Sequence, residues 1–261
     1  MATEHYHAHF VSGYFYHIYN RANTNTDKLF YQEKNYAYFL EKFDQYLSDY
    51  LEVWAYCLIP NHFHFLVKVK NIDAPDETFD TIVFKTIKEI DIMTLKKMID
   101  IVENIDPIVP TKSLNMLQNM DMTALINSLN AIKKFETTIS NINAVIEEQF
   151  RKFLIGYAKA INKQESRRGN LFQNKFKRIH IDNDTYLMTL IHYIHHNPIH
   201  HHLIPSLQNW HYSSYNTLIC QTNTKLVRED VLELFGNQQK FIEFHQMLTD
   251  YNKIKHYIVE D

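Results

Sequence analysis

The chain has 261 residues, of which 45% are hydrophobic and 22% charged, so it can bury a core and lacks the composition of a disordered protein. Its formal net charge is −3, so any nucleic-acid-binding surface must be a local basic patch. Two cysteines, Cys57 and Cys220, are too few for a disulfide framework and lack the spacing of a metal site. Neither a signal-peptide pattern nor an apolar run of about 20 residues occurs, so we expect a cytoplasmic protein without a membrane segment.

The first 70 residues predict a strand, a helix and a hairpin. Residues 14–20 are aromatic and β-branched, which is typical of a strand. Residues 35–50 repeat apolar side chains at helical spacing. Two strand-like runs follow, 53–59 and 62–69, separated only by Pro60 and Asn61. Such a short turn predicts a tight hairpin and hence a largely antiparallel sheet.

The next stretch, residues 71–145, changes in character and predicts a helical insertion. Acidic residues outnumber basic ones, and Pro107 and Pro110 separate two segments with helical spacing. We expect a helical hairpin whose second helix can continue to about Ile161. The resulting division is a main domain of residues 1–70 and 146–218, the insertion, and an amphipathic, helical C-terminal tail of residues 219–261.

A basic segment, residues 151–178, leads into a helix predicted from about Asp184 to Asn197. Asp184 suits an N-cap, and Pro198 disfavours helix at the residue before it. The segment carries nearly one sign of charge with interleaved phenylalanines, as single-stranded DNA binding requires, although charge runs are usually just solvated faces. The candidate DNA-binding residues are Arg167, Arg168, Phe172, Lys175, Lys177 and Arg178.

Two short patterns carry candidate chemistry. His62 and His64 lie two apart in a strand, so both imidazoles share one face and can form a pair of metal ligands or a solvated pair. Tyr193 and Asn197 lie four apart on a helix and also share a face. A phenol needs help to act as a nucleophile, since its pKa is near 10, and a divalent cation on a phosphate can supply that help. Taken alone, Tyr193 is more often a core tyrosine. The histidines between His192 and His202 fit no closed zinc site; we expect them to be partly exposed near a phosphate-rich ligand, with one or two in the active site.

Five stretches in order resemble the single-tyrosine HUH transposases, most closely the REP-associated tyrosine transposases. In the central one, His62 and His64 flank the bulky hydrophobic Phe63, as in the family's HUH strand. The others are Tyr16–Arg21 (first strand), Arg168–Gln173 with Lys175–Lys177 (basic turn), Tyr193–Pro198 (tyrosine helix) and Trp210–Tyr215 (closing segment). The resemblance covers about residues 14–70 and 150–216; the insertion departs from the family's minimal pattern.

The resemblance implies an α+β fold, namely a ferredoxin-like antiparallel sheet with helices packed on one face. It implies that His62, His64 and Asn197 hold Mg²⁺ or Mn²⁺ and that Tyr193 attacks a phosphate of single-stranded DNA with hairpin-marked ends. The expected product is a 5′-phosphotyrosine, which a later 3′-hydroxyl resolves by strand transfer. Relatives place the tyrosine helix in cis or exchange it across a homodimer, and both arrangements stay open here.

Two other functions remain open from the sequence. A domesticated relative would recognise nucleic-acid hairpins without cutting them, but it would not need the four residues His62, His64, Tyr193 and Asn197 together. A metal-dependent hydrolase would activate water at the histidines. That class usually has further carboxylate or histidine ligands near the first pair, and residues 65–70 contain none.

Overall fold

The computed structural model describes residues 6–24, 28–71, 122–173 and 175–252, with the backbone alone for residues 122–141, 184 and 185. The chain divides into two units, residues 1–70 with 142–261 and residues 71–141. Of the second unit only the helical backbone of residues 122–141 is described, so the first predicted insertion helix lies outside the described residues.

Four strands form one antiparallel sheet in the order β2-β3-β1-β4. The strands are β1 (Phe15–Arg21), β2 (Leu51–Ile59), β3 (His62–Val69) and β4 (Lys177–Ile181). The helices are α1 (Glu33–Leu47), α2 (Met122–Gln164), α3 (Asp184–His200), α4 (Tyr215–Ile219), α5 (Arg228–Leu234) and α6 (Gln238–Gln246), with a 3-10 turn at Leu207–Asn209. The order β1-α1-β2-β3-α2-β4 with β1 and β3 central is ferredoxin-like. The predicted α+β class and antiparallel ferredoxin-like sheet are therefore confirmed.

One face of the sheet packs on α1 and the C-terminal part of α2 through aromatic side chains. Alternation along β3 points Phe63 and Phe65 to this face. The Phe43 ring stacks on Phe65 with centroids 4.2 Å apart, and Phe39 contacts both Phe63 and Phe153 at 5.0 and 4.8 Å. These rings form the larger core and fix the two helices on this face, as predicted.

The opposite face is also apolar and is covered by α3 and the C-terminal helices. Leu187, Leu190, Ile191 and Ile194 recur at the spacing of a buried helix stripe and pack with Leu66 of β3. The prediction of helices on one face is thus correct for α1 and α2, and a second layer is added on the other face. That layer brings α3 over the strand that carries His62 and His64.

Two predicted helix boundaries differ from the observed ones. Helix α3 continues past Pro198 to His200, because Pro198 lies in the last turn and later amides still donate, as His201 N–H does to the Asn197 carbonyl at 3.1 Å. The predicted tail helix is broken into α5 and α6 at Gly236, whose φ of 93° is left-handed. Asn237 then caps α6 by accepting the Lys240 N–H. The strand β4 was not predicted from its five residues.

A directed chain of hydrogen bonds ties α3 to α6 and β2. The Phe241 carbonyl can only accept, so His245 Nδ1, 2.8 Å away, donates and His245 Nε2 accepts. His195 Nδ1 donates to that atom at 2.8 Å, which leaves His195 Nε2 to accept the Ser214 hydroxyl at 2.8 Å. Ser214 Oγ in turn accepts the Tyr56 amide at 2.9 Å. All of these hydrogen bonds can form together only while the imidazole rings of His195 and His245 are both neutral.

The same holds for His192, which is 2% exposed. Its Nε2 donates to the Met247 carbonyl at 3.2 Å, so its Nδ1 accepts the Tyr251 hydroxyl at 2.7 Å. Burial, more than the neighbouring histidines His196 and His245, lowers the pKa of His192 to about 3. Burial likewise lowers the pKa of His245 to about 3.

Among the described residues, no helix is long and apolar enough to cross a membrane.

Stability should therefore fall on acidification, and each neutral buried histidine should contribute. A pKa near 3 in the folded state, against 6.5 unfolded, means that the stability is complete above pH 6.5 and is lost as pH falls toward 3. Replacing His192→Leu should reduce the pH dependence of the unfolding free energy by up to about 1.4 kcal/mol per pH unit in that window. Urea unfolding at pH 7.5 and pH 5 measures this slope.

The exposed His202 provides the matched control. His202→Leu should leave the slope of the wild-type protein unchanged. Equal slopes for the wild type and His192→Leu would show that His192 is not held neutral in the folded state.

Candidate functional site

A cavity of about 80 Å³ lies beside the ends of β1 and β3. A water molecule needs roughly 10–15 Å³ by this kind of measure, so the cavity can hold a cation with a few waters, and a nucleotide would lie at its mouth. Its lining residues are Tyr19, Asn20, Arg21, Asn61, His62, His64, Gln173, Lys175, Lys177 and His201.

His62 and His64 reach this cavity because β3 alternates. Their ring centroids are 5.1 Å apart and the ring planes nearly perpendicular, at 87°. His64 is 3% exposed and His62 half-buried. Burial holds the pKa of His64 well below its usual value, and His17, His62 and His201 lower it further. The shared face predicted for the pair is confirmed, and a ring kept neutral retains a nitrogen lone pair for a metal.

His62 is held between two asparagines. Its Nδ1 lies 2.9 Å from Asn61 Oδ1, and its Nε2 lies 2.9 Å from Asn197 Oδ1, 135 positions away in the chain. When Nδ1 donates to Asn61, the Nε2 atom can face the Asn197 oxygen favourably only with a proton or another cation between them. Two ligands at adjacent octahedral positions, about 2.1 Å from a metal, are about 3 Å apart. The observed separation of 2.9 Å is close to that of such a pair.

The candidate third donor for a metal is an amide oxygen, Asn197 Oδ1, which lies 2.9 Å from His62 Nε2. Among the residues that the structure describes, no three His, Cys, Asp or Glu side chains converge on one point. His62 Nε2, His64 Nε2 and Asn197 Oδ1 would form a mixed nitrogen and oxygen set, which suits Mg²⁺ or Mn²⁺ completed by water or phosphate oxygens. Asn197 is fully buried, so the packing around α3 restricts the position of its side-chain oxygen.

Tyr193 packs directly against His64. Its ring lies edge-on to His64 with centroids 5.7 Å apart, one turn of α3 before Asn197. It is 2% exposed, and the rings of His200 and Tyr251 pack against it at 5.8 and 5.5 Å. The predicted tyrosine and asparagine are thus both at the site, but the tyrosine is covered.

The cavity is electropositive. Arg21, Lys175 and Lys177 line it, and no carboxylate appears among the described residues that do. Lys177 Nζ lies 5.6 Å from the centre of the Tyr19 ring. The Tyr19 ring in turn stacks near the His64 ring, with the two centroids 5.7 Å apart. Such a lining attracts an anion such as a phosphodiester.

Of the six predicted DNA-binding residues, only Lys175 and Lys177 line this cavity. Arg167 is half-buried and Arg168 exposed in the loop after α2. Phe172 is 9% exposed and packs against Phe63 and Tyr157. Its burial argues against base stacking.

Arg178 serves the core instead. It is 5% exposed, donates to the Ala8 carbonyl and pairs with Glu147. Its guanidinium lies 4.8 and 5.5 Å from the rings of Phe10 and Phe176. Phe172 and Arg178 are thus both engaged in packing, and a role of either in DNA binding stays a prediction.

Several site residues were not predicted, above all His17 and Tyr19 on β1. They lie two apart, so they share a face, and Tyr19 is the register partner of His64. The signal was available, because a ferredoxin-like sheet places its first and third strands side by side. Asn61 was missed because nothing local marks it. His201, whose ring lies 4.7 Å from that of His62, was one of the six neighbouring histidines considered but was not singled out among them.

The chain is similar to a solved structure of a REP-associated tyrosine transposase bound to a REP hairpin, with a TM-score of 0.48 and 11% sequence identity, over 84% of this chain and 87% of that one. No protein-family model matches the chain, and neither does any sequence among the curated proteins.

Replacing Arg178 should destabilise the fold. Arg178→Met leaves Glu147 and the Ala8 carbonyl without their donor, which should lower the unfolding free energy by about 2–3 kcal/mol. The exposed Arg168→Met should change it by no more than about 0.5 kcal/mol. Urea unfolding of both variants at pH 7.5 makes the comparison, and equal losses would contradict a structural role specific to Arg178.

Proposed function

We propose that this protein is an HUH-type, metal-dependent transposase of single-stranded DNA, acting as a nickase and strand transferase with Tyr193 as nucleophile. One observation carries the proposal. The two histidines of β3 and the tyrosine and asparagine of α3, far apart in the chain, meet beside a cation-lined cavity. A domain that only binds nucleic acid has no need of this combination, and the sequence motifs that resemble the family contribute the same four residues.

Each residue has a role that follows from its position. His62, His64 and Asn197 would hold Mg²⁺ or Mn²⁺, which when bound polarises a phosphate and offsets its developing charge. Lys175 and Lys177 would bind the phosphodiester backbone at the cavity mouth. Substrates are single-stranded DNA ends marked by hairpins, inside the cytoplasm.

The proposed chemistry exchanges one phosphodiester for another. The Tyr193 oxygen attacks phosphorus, an O–P bond to the tyrosine forms, and the bond from phosphorus to the 3′ oxygen breaks. The phenolic proton is lost and the leaving 3′ oxygen gains one, so a 5′-phosphotyrosine and a 3′-hydroxyl result. A second 3′-hydroxyl reverses the step on the phosphotyrosine and joins a new strand. No nucleotide hydrolysis is needed, because bond energy is conserved.

The burial of Tyr193 favours one alternative, a protein that binds hairpins without cleaving them. A nucleophile that is 2% exposed cannot reach a phosphate until its neighbours move. Tyr19 also competes for the role of nucleophile, since it lines the cavity and Tyr193 does not.

A covalent-adduct assay should decide between these functions. Labelled single-stranded hairpins from the DNA flanking the gene, incubated with the protein and Mn²⁺, should yield an adduct that retains the 3′ side of the cut. Tyr193→Phe should abolish it, since the variant lacks only the attacking oxygen, and so should EDTA. Denaturing electrophoresis of 5′- and 3′-labelled DNA measures the adduct.

Tyr19→Phe is the matched control, and it should retain the adduct. An adduct that survives Tyr193→Phe and disappears in Tyr19→Phe would make Tyr19 the nucleophile and refute our assignment. Tight hairpin binding with no adduct in any variant would establish the binding protein instead.

Tyr251 covers the nucleophile, so its removal should accelerate adduct formation. An aromatic contact of this kind is worth about 0.5–1.5 kcal/mol, which corresponds to a rate increase of about 2- to 12-fold for Tyr251→Ala. Leu248→Ala, in the same segment but fully exposed, should leave the rate unchanged. Single-turnover kinetics measure both, and a slower Tyr251→Ala would mean that Tyr251 assists the reaction.

A further inference from the structure

His17 lies directly behind His64 on the neighbouring strand. It is fully buried, and its Nε2 is 2.9 Å from His64 Nδ1. The two rings are close to parallel, at 19°, with centroids 5.1 Å apart. The register of the sheet explains this contact. The Cα partner of His17 is Leu66, two residues beyond His64, so His17 and His64 are diagonal neighbours on the same face of the sheet.

One proton lies between these two nitrogens and is bonded to one of them. Which ring carries it determines whether His64 can bind a metal through Nε2. If His64 Nδ1 donates to His17, then His64 Nε2 carries a lone pair. If His17 donates, then His64 carries its proton on Nε2 and cannot ligate a metal through that atom.

His62 shows the arrangement that a metal ligand needs. Its Nδ1 faces the oxygen of Asn61, an acceptor, at 2.9 Å, and its Nε2 faces Asn197. A metal-ligating histidine generally donates its other ring N–H to a partner of this kind, which fixes its tautomer and orientation. His64 has no asparagine in that place; it has His17.

We propose that His17 is a positioning residue, which accepts the Nδ1 proton of His64 and thereby directs the His64 Nε2 lone pair into the cavity. The inference rests on the proposed metal site and adds a residue to it that does not touch the metal. Because His17 is fully buried, water cannot replace it as an acceptor. Its loss would leave a buried N–H without a partner and favour the other His64 tautomer.

Three variants separate this role from simple packing. His17→Leu removes the acceptor. His17→Gln places an amide oxygen near the position of the imidazole Nε2 and keeps it. Leu66→Ala, at the fully buried register partner of His17, lowers stability without touching the hydrogen bond.

The first readout is Mn²⁺ affinity, measured by the paramagnetic resonance signal of free Mn²⁺ during titration. His17→Leu should weaken binding about 10- to 100-fold, His17→Gln should stay much closer to the wild type, and Leu66→Ala should bind as the wild type does. The second readout needs no metal. Long-range ¹H–¹⁵N spectra should show His64 with its proton on Nδ1, identified by the signals missing in His64→Ala, and His17→Leu should shift it toward Nε2.

The outcomes distinguish the inference from the proposed function. Wild-type affinity for Mn²⁺ in His17→Leu would overturn the role of His17 and leave the metal site intact. An equal weakening in Leu66→Ala would reduce the effect to packing and overturn it as well, as would a wild-type His64 protonated on Nε2. Failure of the wild type to bind Mn²⁺ even in the presence of hairpin DNA would overturn the metal site and the role of His17 together.

Discussion

The antiparallel pairing of β1 with β3 is the interaction on which the site depends. It sets Tyr19 opposite His64 and Arg21 opposite His62, so one pair of strands supplies the histidines, a cation and the residues behind them. Because side chains alternate, a slip of one residue on β3 would turn His62 and His64 into the aromatic core and Phe63 and Phe65 toward α3. The same phenylalanines that anchor α1 and α2 therefore also fix the direction in which the histidines point.

The opposite layer then supplies what the sheet lacks. Helix α3 is pressed onto the sheet by its leucine and isoleucine stripe and held from behind by the neutral chain through His195, His245 and Ser214. This double attachment fixes the rotation of α3, so Asn197 meets His62 and Tyr193 meets His64. His192 and His195 of α3 are thus buried structural residues, and not the partly exposed histidines that were predicted. His200 and His201 are exposed, and a phosphate near them stays a prediction.

Local periodicity sufficed to predict the parts of the site that lie on one element. The shared faces of His62 with His64 and of Tyr193 with Asn197 followed from strand and helix spacing, and both are confirmed; their roles stay predictions. Lys177 and Arg178 show where charge alone misleads. Adjacent residues of a strand point to opposite faces, so Lys177 reaches the cavity while Arg178 enters the core beside Phe10. Because β4 was not predicted, there was no reason to assign Lys177 and Arg178 to opposite faces of a strand.

Contacts between distant segments were beyond such patterns. The hydrogen-bond partner of His64 is His17 on β1. The ring that packs over Tyr193 belongs to Tyr251, 58 residues later in the chain. A motif names residue types in order, but which rings meet depends on packing that no short spacing encodes. His17 became predictable only through the strand order, which the resemblance implied and the hydrophobic pattern alone did not.

The charges around the site determine how metal and DNA would bind in the proposed function. Two imidazoles and an amide offer no negative charge, and Arg21, Lys175 and Lys177 surround them. A divalent cation entering alone meets repulsion that no carboxylate among the described lining residues offsets, so its affinity should be low. A phosphodiester reverses this balance, because its oxygens both neutralise the lysines and complete the coordination sphere. Metal and scissile phosphate should therefore bind cooperatively, each by linkage raising the affinity of the other.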